Sequence, residues 1–303
     1  MNPTSTTDNI SFRSGVFYAV LAYTTWGLGP IYFKSIASVP ASEVLAHRIV
    51  WSVVFLYASS IVLKNFGDIK RALTSIRALK YLGITTVLIA VNWYSFIWAI
   101  ENDQVLQASL GYFINPLINV LLGALFLKEK LGRLAKISIA FATVGVALMI
   151  IKSAVVPVAG LVLALTFAFY GLLRKVAPVG AVPGLSVETT LLCLPALGYL
   201  FWLGHNSTLV FGHTSLGLTL LLTVAGPWTS LPLIWFAKGA RRLRLSTIGF
   251  LQYIAPTLHF VLAVLIYGEP FGVVHLLSFL CIWTGLIIFT FDSFKRARKN
   301  HAK

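Results

Sequence analysis

The chain has 303 residues, of which 58% are hydrophobic and only 11% charged. A soluble domain devotes about a quarter of its residues to charge, so this composition excludes an ordinary water-soluble fold. The net charge of +15 would suit nucleic acid, but the Lys and Arg residues lie at the ends of apolar runs, as in membrane proteins. We therefore expect a lipid bilayer, and no nucleic acid, as a partner.

Ten apolar segments are long enough to cross the hydrocarbon core, which takes roughly 20 residues per helix. The predicted spans are 14–34, 43–63, 79–99, 105–127, 134–151, 156–174, 184–203, 216–236, 246–267 and 271–291. They use almost the whole length, which leaves no room for a soluble catalytic domain. The first segment is predicted to be a spanning helix, because no small-residue cleavage site of a signal peptide follows it.

The positive charges predict an orientation, because Lys and Arg are enriched in cytoplasmic loops. Only Lys34 and Lys152 lie in the segments predicted to be outside, and Arg48 lies within a span. The rest of the 24 Lys and Arg residues fall on the other side of the membrane. We therefore expect both termini in the cytoplasm.

An internal repeat relates the two halves. Residues 110–150 match residues 250–290 at a constant offset of 140 residues, with four identities: Pro116 with Pro256, Glu129 with Glu269, Gly132 with Gly272, and Gly145 with Gly285. Each half holds five predicted spans, so the second half should cross the membrane inverted. We expect two domains, 14–151 and 156–291. Inverted repeats are typical of secondary transporters with a mid-membrane substrate site.

Polar residues follow one face of the fourth and ninth spans, at helical spacing. These two stripes are Ser109, Tyr112, Asn115 and Asn119, and Gly249, Gln252, Pro256 and His259. The offset pairs Tyr112 with Gln252 and Asn119 with His259, which favours a shared substrate cavity. Hydrogen bonding between helices is the alternative. Pro116 and Pro256 should kink their helices and act either as hinges or as static shape features.

Carboxylates and a histidine within the spans are candidates for proton coupling. Glu43 and His47 lie one turn apart, and Glu188 lies in the seventh span. An alternative for Glu43 is an ion-paired cluster with Arg48 that snorkels to the headgroups. Glu129 and Glu269 each precede a span and are interpreted as helix caps.

Motifs of catalysis and metal binding are missing from the sequence. We find no GxSxG, no HExxH, no phosphate-binding glycine loop and no Cys/His metal spacing. Cys193 and Cys281 are interpreted as small buried hydrophobic residues. The sequence therefore predicts no catalytic residue, no cofactor, no metal and no ATP-driven pump.

Five segments together resemble the RarD-like branch of the EamA family, in the drug/metabolite transporter superfamily. They are HRIVWS at 47–52, NWYSFIWAI at 92–100, SLGYFINPL at 109–117, YGLLRK at 170–175 and STIGFLQYIAPT at 246–257. The resemblance implies an all-α protein of ten transmembrane helices in two inverted five-helix repeats. It also implies a cavity lined mainly by the first, third, fourth, sixth, eighth and ninth helices.

Side chains on those helices become the candidate substrate-binding residues. Besides Asn115, Asn119, Gln252 and His259, they are Tyr23, Trp26, Asn92, Trp93, Tyr112, Tyr170, Trp228 and Tyr253. Their aromatic rings would suit a planar or amphipathic cargo through stacking and cation–π contacts.

The expected function is secondary transport of small amphipathic metabolites, amino acids or drugs across the bacterial inner membrane, by alternating access. The resemblance favours export or facilitation. One alternative is an intramembrane enzyme that acts on lipid, with Glu188 and either His47 or His259 as acid and base. Another is a membrane scaffold that transports nothing. We expect a monomer or a homodimer.

Overall fold

The computed structural model describes residues 3–64, 66–102, 104–153, 157–268 and 272–301, and these ranges contain helices and no strand. The helices are α1 (Pro3–Gly27), α2 (Gly29–Ser35), α3 (Ala41–Val62), α4 (Phe66–Thr74), α5 (Ile76–Glu101), α6 (Val105–Phe126), α7 (Arg133–Ser153), α8 (Val158–Val176), α9 (Ala181–His205), α10 (Leu216–Arg242), α11 (Leu245–Gln252), α12 (Ile254–Val261) and α13 (Val273–His301).

Nine apolar segments of the described chain are long enough to cross a membrane, with α11 and α12 counted as one. Helix α1 packs along α10 and α12 and supplies a tenth pass. The prediction of a polytopic helical membrane protein is confirmed. Between α3 and α5 lies the short helix α4, which buries Ile69 and Ala72 and exposes an ion pair of Asp68 with Arg71.

Two predicted spans are interrupted. The span 14–34 divides at Leu28, and Pro30 lies in the first turn of α2. Proline is tolerated there because an N–H group in the first turn has no acceptor within the helix. The span 246–267 divides at Tyr253 and ends in a π-helical turn, Leu262–Ile266.

The two repeat prolines behave differently, although the kink prediction treated them alike. Pro256 follows the break at Tyr253, because it has no N–H to donate to the carbonyl of Gln252, four residues earlier. Pro116 instead lies inside the uninterrupted helix α6. The chain is therefore broken near one proline and not near the other.

Helices α7 and α13 pack closely through a reciprocal pair of glycines. A Cβ atom on Gly145 would lie 2.6 Å from the Ser278 carbonyl oxygen, and one on Gly285 would lie 2.7 Å from the Ser138 carbonyl oxygen. Both serines are fully buried. Each glycine and each serine matches its counterpart at the repeat offset of 140 residues. Reciprocal contacts of this kind are what a two-fold relation between two units produces.

The ten passes define two ends of the bundle. The terminal end holds both chain termini and the connections α3–α5, α6–α7, α8–α9 and α10–α11. The distal end holds the connections α2–α3, α5–α6, α7–α8 and α9–α10, and the one that follows the π-helical turn.

Candidate substrate site

Arg48, within the span that α3 forms, contacts side chains of three other helices. Arg48 of α3 donates from Nε to the Thr229 hydroxyl of α10, at 2.9 Å. Its guanidinium lies over the rings of Trp93 in α5, at 5.2 Å, and Phe33 in α2, at 5.6 Å. In the part of the chain that the structure describes, no carboxylate oxygen lies within 4.0 Å of its nitrogens. The site therefore holds an unpaired cation among aromatic rings.

Glu43, one turn before His47, binds backbone N–H groups and not Arg48. Its carboxylate is fully buried and accepts the backbone N–H groups of Val210 and Phe211, each at 3.0 Å. The His47 Nε2 atom lies 3.7 Å from the same carboxylate. The expected ion pair of Glu43 with Arg48, reaching the headgroups, is therefore wrong: the backbone before α10 provides the partners, because it offers two N–H donors that would otherwise be unsatisfied.

Tyr112 of α6 lies near Arg48 and is 37% exposed. Its ring lies 5.9 Å from the ring of His259 in α12 and 6.4 Å from that of Phe96 in α5. Side chains of three other helices therefore surround Tyr112. His259 donates from Nε2 to the Trp26 carbonyl at 3.0 Å. We call this group the central site: Trp26, Phe33, Arg48, Trp93, Tyr112, Thr229 and His259.

Toward the terminal end, hydrogen-bonded amides close the interior. Asn119 donates to Asn115 Oδ1 at 2.9 Å and, across the repeats, to Gln252 Oε1 at 2.8 Å. Asn115 donates to the Ala164 carbonyl of α8 at 2.6 Å. None of the three side chains is more than 6% exposed. We call Asn115, Asn119 and Gln252 the polar seal, which divides the two predicted stripes into an open part and a closed part.

Contacts at the terminal end hold that half together. Glu129 accepts the backbone N–H groups of Leu245, at 2.6 Å, and Ser246, at 3.1 Å. It therefore caps a helix as predicted, but the helix is α11 of the other half and not the following helix α7. Glu269 lies outside the described residues. Lys175 donates to the Ala240 carbonyl at 2.8 Å, which joins α8 to α10.

Glu188 lies in a second buried cluster. It accepts hydrogen bonds from Thr85, at 2.5 Å, and Tyr170, at 3.2 Å, and it pairs with Arg174 Nη1 at 3.5 Å. Both charged side chains are 1% exposed. A Cβ atom on Gly184 would lie 1.9 Å from Arg174 Nη1, so the guanidinium occupies the space that a side chain at this position would take.

This arrangement does not favour the lipid-enzyme alternative. General acid–base catalysis requires its two groups within hydrogen-bonding reach or one water apart. Glu188 is bonded to Thr85, Tyr170 and Arg174, whereas His47 faces Glu43 and His259 faces Trp26. Within the described ranges, no group of three or more His, Cys, Asp or Glu residues is placed to hold a metal ion.

Several other predicted binding residues pack against, or hydrogen-bond to, neighbouring helices. Tyr23, Tyr170 and Tyr253 are at most 1% exposed. Trp228 stacks on Tyr32 at 4.9 Å, and Asn92 donates to the Leu163 carbonyl at 2.9 Å. Of the predicted set, Trp26, Trp93, Tyr112 and His259 belong to the central site, while Asn115, Asn119 and Gln252 form the polar seal.

Comparison with known proteins agrees with this architecture. The sequence profile of the EamA-like transporter family matches residues 13–151. Protein RarD of Salmonella typhi is 45% identical over 287 residues, which cover 95% of this chain and 98% of that protein. The chain belongs to the RarD branch of the EamA-like transporters.

Two more relatives and one structure extend this result. An uncharacterized transporter of Vibrio cholerae is 43% identical over 96% of both chains. The chloramphenicol-sensitive protein RarD of Pseudomonas aeruginosa is 30% identical over 94% of this chain and 96% of its own. A solved crystal structure, 18% identical, covers 91% of this chain and 96% of its own, with a TM-score of 0.69, and shows the same fold. This RarD-type chain is a bacterial multi-pass membrane transporter.

Sequence reasoning missed Arg48 as a member of the site. The helices that the RarD resemblance assigned to the cavity do not include the second one, yet that helix, α3, supplies Arg48. The available signal was its position, because Arg48 is the one Lys or Arg in the interior of a predicted span. An ionisable residue at such a place is by default a functional candidate.

Proposed function

We propose that this RarD-type transporter is a secondary transporter or facilitator that moves small amphipathic metabolites, amino acids or drugs out of the bacterial cytoplasm by alternating access. The observation that carries the proposal is the contrast across the central site. Tyr112 is 37% exposed on one side, while the residues of the polar seal on the other side are at most 6% exposed. A site open on one side only is what one state of an alternating-access cycle requires.

The repeat supports a second state of opposite orientation. Inverted repeats exchange roles when one half rocks against the other. The polar seal crosses between the halves at the hydrogen bond of Asn119 with Gln252, so that bond must break when the terminal side opens. With both termini in the cytoplasm, as the charge distribution predicts, the described state faces outward.

The chemistry of the central site supports an amphipathic cargo. Trp26, Trp93 and Tyr112 present aromatic rings, which bind planar apolar groups by stacking. Arg48, whose Nε donates to Thr229, and His259 add polar groups that would fix the orientation of a bound molecule. Transporter sites of this kind combine an apolar lining with a few convergent polar groups.

For energy coupling we propose Glu188 over Glu43. Glu43 is occupied by two backbone N–H groups, whereas Glu188 joins side chains of α5 and α8, Thr85 and Tyr170. Protonation of Glu188 would weaken those contacts and loosen α9 from both helices. We expect Glu188→Gln to abolish stimulation of flux by an imposed pH gradient, and Glu129→Gln to retain it. Equal stimulation in Glu188→Gln would contradict this role.

Counterflow in proteoliposomes tests the transport proposal. Vesicles loaded with an unlabelled solute, from a panel of amino acids, amphipathic metabolites and chloramphenicol, should accumulate the labelled solute only when the protein is present. Tyr112→Ala should reduce this flux. Tyr94→Ala is the matched control, because Tyr94 lies on α5, outside the central site, and is 66% exposed. Absence of protein-dependent flux for every solute would refute transport and favour the scaffold alternative.

A further inference from the structure

We infer that Arg48 is the receptor for a carboxylate on the cargo, so that the central site selects small monoanionic molecules with a flat apolar body. The inference rests on the proposed transport function and specifies its substrate class. It starts from a cation that lies within a membrane span and has no counter-charge among the described residues.

The hydrogen bonding of Arg48 leaves its terminal nitrogens available. Nε is used by Thr229, and in the described part of the chain no hydrogen bond or ion pair involves Nη1 or Nη2. Arg48 is partly exposed. Because guanidinium is planar, the bond to Thr229 fixes the direction of both remaining nitrogens. Two parallel N–H donors match the two oxygens of a carboxylate.

The neighbouring carboxylate does not compete for this position. Glu43 precedes Arg48 by little more than one helical turn, but its oxygens are held by the N–H groups of Val210 and Phe211. A charge within a span is costly without a partner. An anionic cargo would supply that partner, and its release would return the site to the unpaired state seen here.

The number of cations limits the charge of the cargo. Arg48 is the one Lys or Arg in the central site, so a single negative charge is neutralised and a second would be left uncompensated. We therefore expect carboxylates in preference to phosphate dianions. The guanidinium lies over the rings of Trp93 and Phe33, and we expect the body of the molecule to stack on the rings of Tyr112 and His259.

A matched pair of probes isolates the contribution of charge. Phenylacetate and phenylacetamide share ring and length but differ in the anionic group. Binding is measured on the purified full-length chain, as the rise in melting temperature with probe concentration and by calorimetric titration. We expect the acid to bind at least about 10-fold more tightly than the amide. This is the affinity ratio that one hydrogen bond to a charged group provides.

Variants connect that preference to Arg48. Arg48→Gln should bind the acid about 10- to 100-fold more weakly and lose the preference over the amide, and Arg48→Lys should keep part of it, because a point charge remains without the planar fork. Arg77→Gln, at an exposed position on α5, should match the wild type. If Arg48→Gln does not fold, the role of Arg48 is still tested by the reduced acid preference of Arg48→Lys and by the acid–amide comparison in the wild type.

The outcomes separate this inference from the transport proposal. Equal binding of acid and amide by the wild type, or undiminished acid binding by Arg48→Gln, overturns the role of Arg48, even where counterflow of neutral solutes proves transport. Arg48-dependent acid binding without any counterflow of labelled phenylacetate keeps the anion site and overturns transport. Binding of a phosphate monoester more tightly than the carboxylate overturns the predicted charge class.

Discussion

The reciprocal packing of α7 and α13 makes a quantitative prediction about two glycines. In Gly145→Ala the new methyl group would lie 2.6 Å from the Ser278 carbonyl oxygen, and in Gly285→Ala it would lie 2.7 Å from that of Ser138. Both obstacles are backbone atoms, so the helices must separate. Overpacking lowers the free energy of unfolding by about 1–3 kcal/mol, and the higher helix propensity of alanine over glycine offsets up to about 1 kcal/mol of this loss. We expect a net loss of roughly 1–2 kcal/mol, equal for the two variants.

The assay is unfolding in mixed micelles of increasing SDS fraction, followed by tryptophan fluorescence. Gly83→Ala and Gly198→Ala are matched controls, because a Cβ atom at either position meets no atom within 4 Å, and both should be neutral or stabilising. The double variant Gly145→Ala/Gly285→Ala should lose less stability than the two single variants together, since one separation of the helices relieves both contacts. Destabilisation by one glycine variant and not by the other would refute the two-fold reasoning.

Three further substitutions test contacts that the structure assigns to side chains of acidic residues. Glu129→Ala removes the cap of α11 and should lower the unfolding free energy by about 1–2 kcal/mol, against no change for the exposed Asp68→Asn; equal melting temperatures would contradict the cap. Glu43→Ala should speed amide hydrogen exchange at Val210 and Phe211, and unchanged exchange there would remove its anchoring role. Glu188→Leu leaves Arg174 buried without its carboxylate and should cost about 3–5 kcal/mol in thermal or SDS unfolding; a variant as stable as the wild type would show that the pair contributes nothing.

Much of the fold was predictable because lipid imposes simple rules. Apolar length and charge placement predict which segments span the membrane, but not every helix end, since α1 begins at Pro3 and α13 ends at His301, about ten residues beyond the predicted spans. The repeat revealed the equivalence of Gly145 and Gly285, but not that their helices are in contact. The breaks at Leu28 and Tyr253 were not predictable from hydropathy, since both lie in apolar sequence. Proline alone did not locate them either, because Pro116 is accommodated inside α6 while the chain is broken before Pro256.

The candidate site was predicted in part. Helical spacing gave two polar stripes that were expected to share a cavity, and the rings of Tyr112 and His259, one from each stripe, lie 5.9 Å apart. It did not distinguish them from Asn119 and Gln252, which belong to the same stripes but are buried and hydrogen-bonded to each other. Helical periodicity predicts which face of a helix a residue lies on, but not how deeply it is buried along the helix axis. Arg48 was missed for a related reason: whether a charged group faces lipid headgroups or an interior gap depends on neighbouring helices that are distant in sequence.

Side-specific thiol labelling tests the central claim, alternate exposure of one site, most directly. Cysteine is placed at Tyr112 or Asn119 in a chain whose own Cys193 and Cys281 are replaced by serine. Membrane-impermeant reagents are then applied to right-side-out and inside-out vesicles. Tyr112→Cys should react from the outside, and Asn119→Cys should become reactive from the cytoplasmic side only when a transported solute is present. Labelling of Asn119→Cys from the outside, or from neither side under any condition, would contradict the account.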